Sequence, residues 1–279
     1  MYPPKFDYYR ADSVDDAVAL MSEHDGKFLA GGHSLIPVMN LRLADPGTLI
    51  DIGRLDMKGI SSEGSSVKIG ALTTHAMVAA SSALPTALSE AAGMIGDPQV
   101  RNRGTVGGNI AHADPASDLP TVMLALQATI HTNGRSISAD DFFIDLFETA
   151  LNEDEIITAV TVASEGANTG SSYAKLPNPA SRYAMVGAAA QVTVENGVCT
   201  AASVAVGGLT PKATRASSVE AALVGKAPSA ENLAAAAAAI ANDLGDEVMG
   251  DMHASEEYRR QMAPVFVRRA LEAAVSRAS

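Results

Sequence analysis

"KFLAGGHSLIPVMNLRL" (residues 27–43) sets a glycine pair, a histidine and a serine between two apolar runs. "RNRGTVGGNIAHADPASDLP" (residues 101–120) repeats the theme later in the chain. Glycine tolerates positive φ, so a glycine pair after a strand can expose consecutive backbone N–H groups. Such a concavity suits an anion. A single loop of this kind is equally well explained as a tight turn. Two loops with polar followers (His33 and Ser34 in the first, Asn109 in the second) could grip a diphosphate from two sides. A diphosphate joining two larger groups means a dinucleotide such as FAD or NAD. The fingerprint G-x-G-x-x-G does not occur, and "VGKAPS" (residues 224–229) lacks the flanking residues of a phosphate-hydrolysing loop. The pattern points to FAD held by a different architecture.

Outward from the first loop, "SVDDAVALMSEHDG" predicts an amphipathic helix capped by Ser13 and ended at Gly26, and "GTLIDIGRL" a short strand. Val67 and Ile69 alternate with polar neighbours as in a half-buried strand, and Thr74 can start a helix. "ALPTALSEAAGMI" is a helix opened by Pro85, "SDLPTVMLALQATI" a helix passing into a strand, and "NEDEIITAVTV" an acidic turn leading into β structure. The composition changes near residues 164–175. Beyond it lies a strand meander with a tight turn at Glu195-Asn196-Gly197, then helices. Pro264 interrupts the last helical pattern, which predicts a kink or two abutting helices.

The chain has 279 residues, enough for two or three packed units. Hydrophobic residues make up 47% and aromatics 4%, so the core must be mostly Ala, Val, Leu, Ile and Met. A formal net charge of −12 repels phosphate backbones and anionic membranes, which argues against nucleic-acid binding. The one cysteine, Cys199, can form neither an internal disulfide nor an iron–sulfur cluster, which needs about four thiolates. No secretory signal and no apolar run near the ~20 residues of a membrane span is visible, so a cytoplasmic location is expected.

At "AGGHSLIP" and "DPQVRNRGTVGGNIAHADPASDLP" the sequence resembles the flavin-binding, medium-sized subunit of the molybdenum hydroxylases, which include aerobic carbon monoxide dehydrogenase and the bacterial xanthine, nicotine and aldehyde dehydrogenases. The likeness runs from "YPPKFDYYRADSVDDAVAL" to "YRRQMAPVFVRRAL". It implies an α+β fold: an FAD-binding domain of the vanillyl-alcohol-oxidase type in two subdomains (residues 1–57 and 58–172), then a C-terminal domain (residues 173–279) of a three-stranded sheet with helices. It further implies a large subunit carrying molybdopterin, a small subunit carrying two [2Fe–2S] clusters, and a dimer of such heterotrimers. Substrate would be oxidised at molybdenum, and electrons would pass through the clusters to FAD on this chain and then to an external acceptor. Carbon monoxide is the first candidate substrate, although "PNPAS" (residues 177–181) departs from the charged segment associated with that enzyme. The alternative is a stand-alone flavin-dependent oxidase or dehydrogenase, for which no catalytic acid–base pair is visible.

By the same resemblance Ala30, Gly31, Gly32, His33 and Ser34 would wrap the FAD diphosphate, with His33 donating an imidazole N–H to a phosphate oxygen. Thr105, Gly107, Gly108 and Asn109 would form the second phosphate contact. Asp118 matches a carboxylate on an FAD hydroxyl, although Ser117 or Asp118 could equally cap a helix. Lys175 matches a lysine near the pyrimidine end of the flavin, where a cation offsets negative charge on the reduced ring. Tyr183 matches an aromatic beside the isoalloxazine, and Ile157 an apolar wall against it; core packing explains either equally. His112 is open to a structural or a functional reading. Arg101 and Arg103 flank the second loop and could meet the cluster-bearing subunit or balance the diphosphate, with surface ion pairs the favoured expectation. Replacing Gly32 by valine is expected to abolish FAD binding while the C-terminal domain still folds. Stoichiometric flavin absorbance in that variant would remove the first loop from the diphosphate site.

Overall fold

The computed structural model describes residues 2–278, which form three main sheets in chain order. The first has β1 (Asp7–Arg10), β2 (Lys27–Leu29) and β3 (Thr48–Asp51), all parallel in the order β1-β3-β2. Helix α1 (Val14–His24) links β1 to β2, and α2 (Leu35–Asn40) follows the first glycine loop. Ser13 caps α1 by accepting the Asp16 N–H at 3.0 Å. The helix ends at Asp25 (φ 45°) rather than at Gly26, which is needed for room: a Cβ there would press on the Thr48 carbonyl.

The second sheet is antiparallel, in the order β4-β5-β10-β6-β7. It comprises β4 (Ile60–Glu63), β5 (Ser66–Gly70), β6 (Thr129–Thr132), β7 (Ser136–Ser138) and β10 (Ile157–Ala163). Between β5 and β6 come α3 (His75–Ala79), α4 (Thr86–Met94), α5 (Pro98–Arg103), α6 (Val106–His112) and α7 (Asp118–Ala125). After β7 come α8 (Ala139–Phe142) and a hairpin of β8 (Phe143–Asp145) and β9 (Glu148–Thr149). Leu88, Ile110, Met123 and Phe142 are fully buried in the core beneath this sheet.

Where three strands were expected, the third sheet has four: β11 (Thr169–Pro177), β12 (Ala184–Glu195), β13 (Val198–Gly207) and the two-residue β14 (Thr214–Arg215). So short a strand carries no alternation to read. It is held by side chains: Arg215 ion-pairs with Asp140 of α8 and donates to the Leu124 carbonyl of α7. Asn196 (φ 52°) and Gly197 (φ 76°) make the β12–β13 turn, the two consecutive positive φ values that a two-residue hairpin loop needs.

Helices α9 (Ser217–Leu223), α10 (Ala230–Ala238) and α11 (Glu256–Arg277) cover one face of this sheet, and α4 and α7 pack on it from the other side. Val186, Ala188, Ala190 and Val192 of β12 enter the core with the C-terminal helices. Ala189 joins Tyr173 and Ala205 in the core of the second sheet. Burial on both faces is why β12 reads as an unbroken apolar run rather than an alternating one. Among these described residues α11 is one continuous helix through Pro264. Its contacts along β11 and β12 outweigh the missing backbone bond, so neither of two abutting helices forms.

Candidate functional site

The two glycine loops touch. A Cβ on Gly31 would collide with the Arg103 carbonyl oxygen, and one on Gly108 would lie 3.6 Å from the Ala30 Cβ. Gly32 adopts φ +72°, a conformation closed to most residues. Among the described residues, the backbone N–H groups of Gly31, Gly32, His33, Ser34 and Leu35 have no protein partner. Five consecutive free donors beside a loop with no room for side chains form a cradle for an anion.

The second loop is built differently. Val106 and Gly107 give their N–H groups to the carbonyls of Thr73 and Ala71, and Asn109 to that of Thr105. Gly108 donates to the Thr105 hydroxyl oxygen at 3.3 Å. Gly107 is needed for packing, since a Cβ would lie 2.6 Å from that of Ala71. Apart from the Thr105 N–H, its free donors are on side chains. The Thr105 hydroxyl keeps its proton available, and Ser117 donates to Asn109 Oδ1 at 2.8 Å, which leaves the Asn109 amide N–H groups unused.

His33 is exposed and its Nδ1 lies 3.0 Å from the Gly31 carbonyl oxygen. A carbonyl only accepts, so Nδ1 carries the proton. The neutral ring then presents a lone pair at Nε2, and His33 can donate to a phosphate from Nε2 only when protonated. His75, at the start of α3, went unnoticed in the sequence because a histidine after a capping threonine carries no signal. Its ring packs against Gly104, its backbone N–H bonds the Gly104 carbonyl at 3.0 Å, and its buried Nδ1 has no partner. Burial first, and the neighbouring His33 second, lower its pKa to about 4.

Asn109 leads through Ser117 to a buried cluster. Asp118 accepts from the Tyr173 hydroxyl at 2.6 Å and from Lys175 Nζ at 2.8 Å. Lys175 also donates to the Met94 carbonyl at 3.2 Å. The Asp118 and Lys175 side chains are 5% and 2% exposed, so Lys175 is not a solvated strand residue. Burial pushes the Asp118 carboxyl up, opposed by the Lys175 ammonium and the Tyr173 hydroxyl. Ser117 is the N-cap residue of α7, while the Asp118 side chain turns to the third sheet.

Tyr183 is 42% exposed and lines a recess of about 340 Å³ with Asp114, Met185 and Arg259. Burial, then the carboxylates of Asp114 and Asp118, raise the pKa of its hydroxyl. Ile157 is buried in the core of the second sheet. His112 packs its ring on Phe147, 5.2 Å between centroids. Arg101 donates to the Ile95 and Gly96 carbonyls instead of pairing with a carboxylate.

Family comparison agrees with this geometry. Residues 4–164 match the FAD binding domain in molybdopterin dehydrogenase, and residues 171–274 the CO dehydrogenase flavoprotein C-terminal domain. The chain belongs to this flavoprotein family. It is 40% identical to the carbon monoxide dehydrogenase medium chain of Hydrogenophaga pseudoflava, covering 99% of each, and 37% identical to that of Afipia carboxidovorans, covering 100% of this chain and 99% of the other. The solved carbon monoxide dehydrogenase from Hydrogenophaga pseudoflava, in a form lacking the Mo-pyranopterin moiety, superposes with a TM-score of 0.95 at 41% identity over 100% of both chains.

The residues present fit FAD. The free N–H run and the crowded glycines of this flavoprotein chain suit a diphosphate, and Thr105 and Asn109 offer donors beside it.

Two outcomes follow from the buried groups. Lys175→Met strands the Asp118 carboxylate and is expected to cost about 3–5 kcal/mol in denaturant unfolding. The double variant Asp118→Asn/Lys175→Met should recover part of that loss, and additive losses would mean the pair is uncoupled. His75 has a folded pKa below its unfolded value, so the unfolded chain binds more protons between pH ~6.5 and ~4. Stability should therefore fall as pH drops through that window, by on the order of 3 kcal/mol, and level off below it. In His75→Gln that share of the acid-induced loss should vanish from the unfolding midpoint.

Proposed function

We propose that this chain is the electron-transferring flavoprotein of a molybdenum hydroxylase whose assembled form oxidises carbon monoxide. The free N–H run of the first loop, set against the second, carries the reading. In our reading the main chain of Gly31–Leu35 holds the FAD diphosphate, with Thr105 and Asn109 donating from the other side. Gly107 contributes by letting α6 approach the 71–73 segment, and Gly108 by leaving room for Ala30 of the first loop. Bound FAD supplies the redox chemistry; the protein supplies binding, orientation and charge. Lys175 would supply a counter-charge to the flavin, with Asp118 fixing its position and accepting from a cofactor hydroxyl. Tyr183 would stand at the ring, and Ile157 would form an apolar wall against it. We further assign the first two sheets to a fold of the vanillyl-alcohol-oxidase type in two subdomains.

The relatives named as carbon monoxide dehydrogenase medium chains support carbon monoxide over other substrates. The chain covers 99% of each of these relatives, and each is named as one chain of a larger enzyme, which supports a subunit over a stand-alone oxidase. Molybdopterin and the [2Fe–2S] clusters then belong to a large and a small partner subunit. We place the assembly, a dimer of heterotrimers, in the cytoplasm. No described helix is long and apolar enough to cross a membrane.

Expressed alone, the chain should bind FAD but fail to oxidise carbon monoxide with an artificial acceptor. Purified from its source, it should arrive with a molybdenum-containing large subunit and an iron-containing small one. A chain that purifies alone and oxidises a small molecule unaided would support the stand-alone reading instead.

A further inference from the structure

A recess of about 300 Å³ opens where the two loops meet, lined by Ala30 and Gly31 on one side and by Thr105 on the other. Three basic side chains also line it: Arg54 just after β3, Lys58 just before β4, and Arg103 at the end of α5. All three residues are exposed, and among the described residues none of their charged groups has an ion pair or hydrogen bond. The surface ion pair expected of Arg103 is absent. The carboxylate on the recess, Asp51, is already engaged. One oxygen accepts the Gly53 N–H at 2.8 Å and the other the Tyr8 hydroxyl. The chain carries 32 acidic against 20 basic residues, so three unpaired cations facing one recess are not a product of composition. Like charges held together repel, and the arrangement is relieved when a polyanion enters between them.

We propose that this recess receives the phosphate-bearing end of FAD and that Arg54, Lys58 and Arg103 are its counter-charges. The proposal rests on the reading of the chain as an FAD-binding subunit and deepens it. The glycine loop supplies directed N–H donors but little net charge; the three side chains supply the charge. They also give an otherwise acidic chain a local field that attracts a dianion. Selection then favours phosphorylated flavins over riboflavin, because a neutral ligand gains nothing from the three charges.

The test is flavin binding to the full-length chain freed of its cofactor, followed by fluorescence quenching. Wild-type protein should bind FAD less tightly as salt rises from about 0.01 M to about 0.15 M, across which the screening length falls from roughly 30 Å to roughly 8 Å. Arg54→Gln, Lys58→Gln and Arg103→Gln should each weaken FAD about three- to tenfold, and the triple variant should flatten the salt dependence. Riboflavin affinity should stay unchanged, and the unfolding midpoint of the flavin-free protein should hold or rise slightly, since the three charged groups hold nothing in the fold and their mutual repulsion is removed. Variants that bind FAD as tightly as wild type, with the same salt dependence, overturn the proposal and leave the FAD reading standing. Equal weakening of riboflavin also overturns it, because the effect is then not on phosphate. A wild-type chain that binds no FAD at any salt concentration removes the underlying reading instead.

Discussion

Gly31 lies so close to the Arg103–Gly104 backbone that no side chain fits between them, and much else in the molecule follows from that contact. It joins the parallel first sheet to the helical insert of the second. It also sets a run of unused N–H groups beside the second loop. A side chain at Gly31 would separate the loops, and each would then be an ordinary turn. The two sides of the junction are made by different means. The first loop leaves its main chain free for a ligand. The second spends most of its main chain on the segment that precedes α3 and on its own turn, and keeps the Thr105 N–H and the Thr105 and Asn109 side chains free.

From Asn109 the polar path continues through Ser117 and Asp118 to Tyr173 and Lys175, and so crosses into the third sheet. This sheet is no independent layer. Tyr173, Ala189 and Ala205 are buried in the core beneath the second sheet, while alternate residues of the same strands face the C-terminal helices. Arg277 near the end of α11 reaches Glu90 of α4, and Arg215 reaches Asp140 of α8. Electrostatic coupling across the seam is therefore direct: Lys175 of the third sheet is held by the Asp118 carboxylate from the other side.

A flavoprotein that passes electrons without handling substrate needs a fixed cofactor and a stable local charge more than a catalytic acid or base. The residues gathered here answer to that need. Asp118 and Lys175 neutralise each other in a buried setting, and His75 is kept uncharged between the loops. Such a division of labour matches a family in which bond making takes place on a different subunit.

Features set by a few neighbouring residues were readable from the sequence. Both glycine loops, the Ser13 and Thr74 caps, the Asn196–Gly197 turn and the β12–β13 hairpin were legible because positive φ, capping and periodicity are local properties. Only the tertiary structure decided where donors and charges ended up. It paired Asp118 with Lys175, 57 residues away, and consumed the N–H groups of the second loop. It kept α11 whole through Pro264, added β14, and set Arg54, Lys58 and Arg103 around one recess. The reason is physical. A turn or a cap is settled by dihedral preferences within a few residues, whereas the partner of a buried charge or a backbone donor is whatever distant group packing brings within about 3 Å.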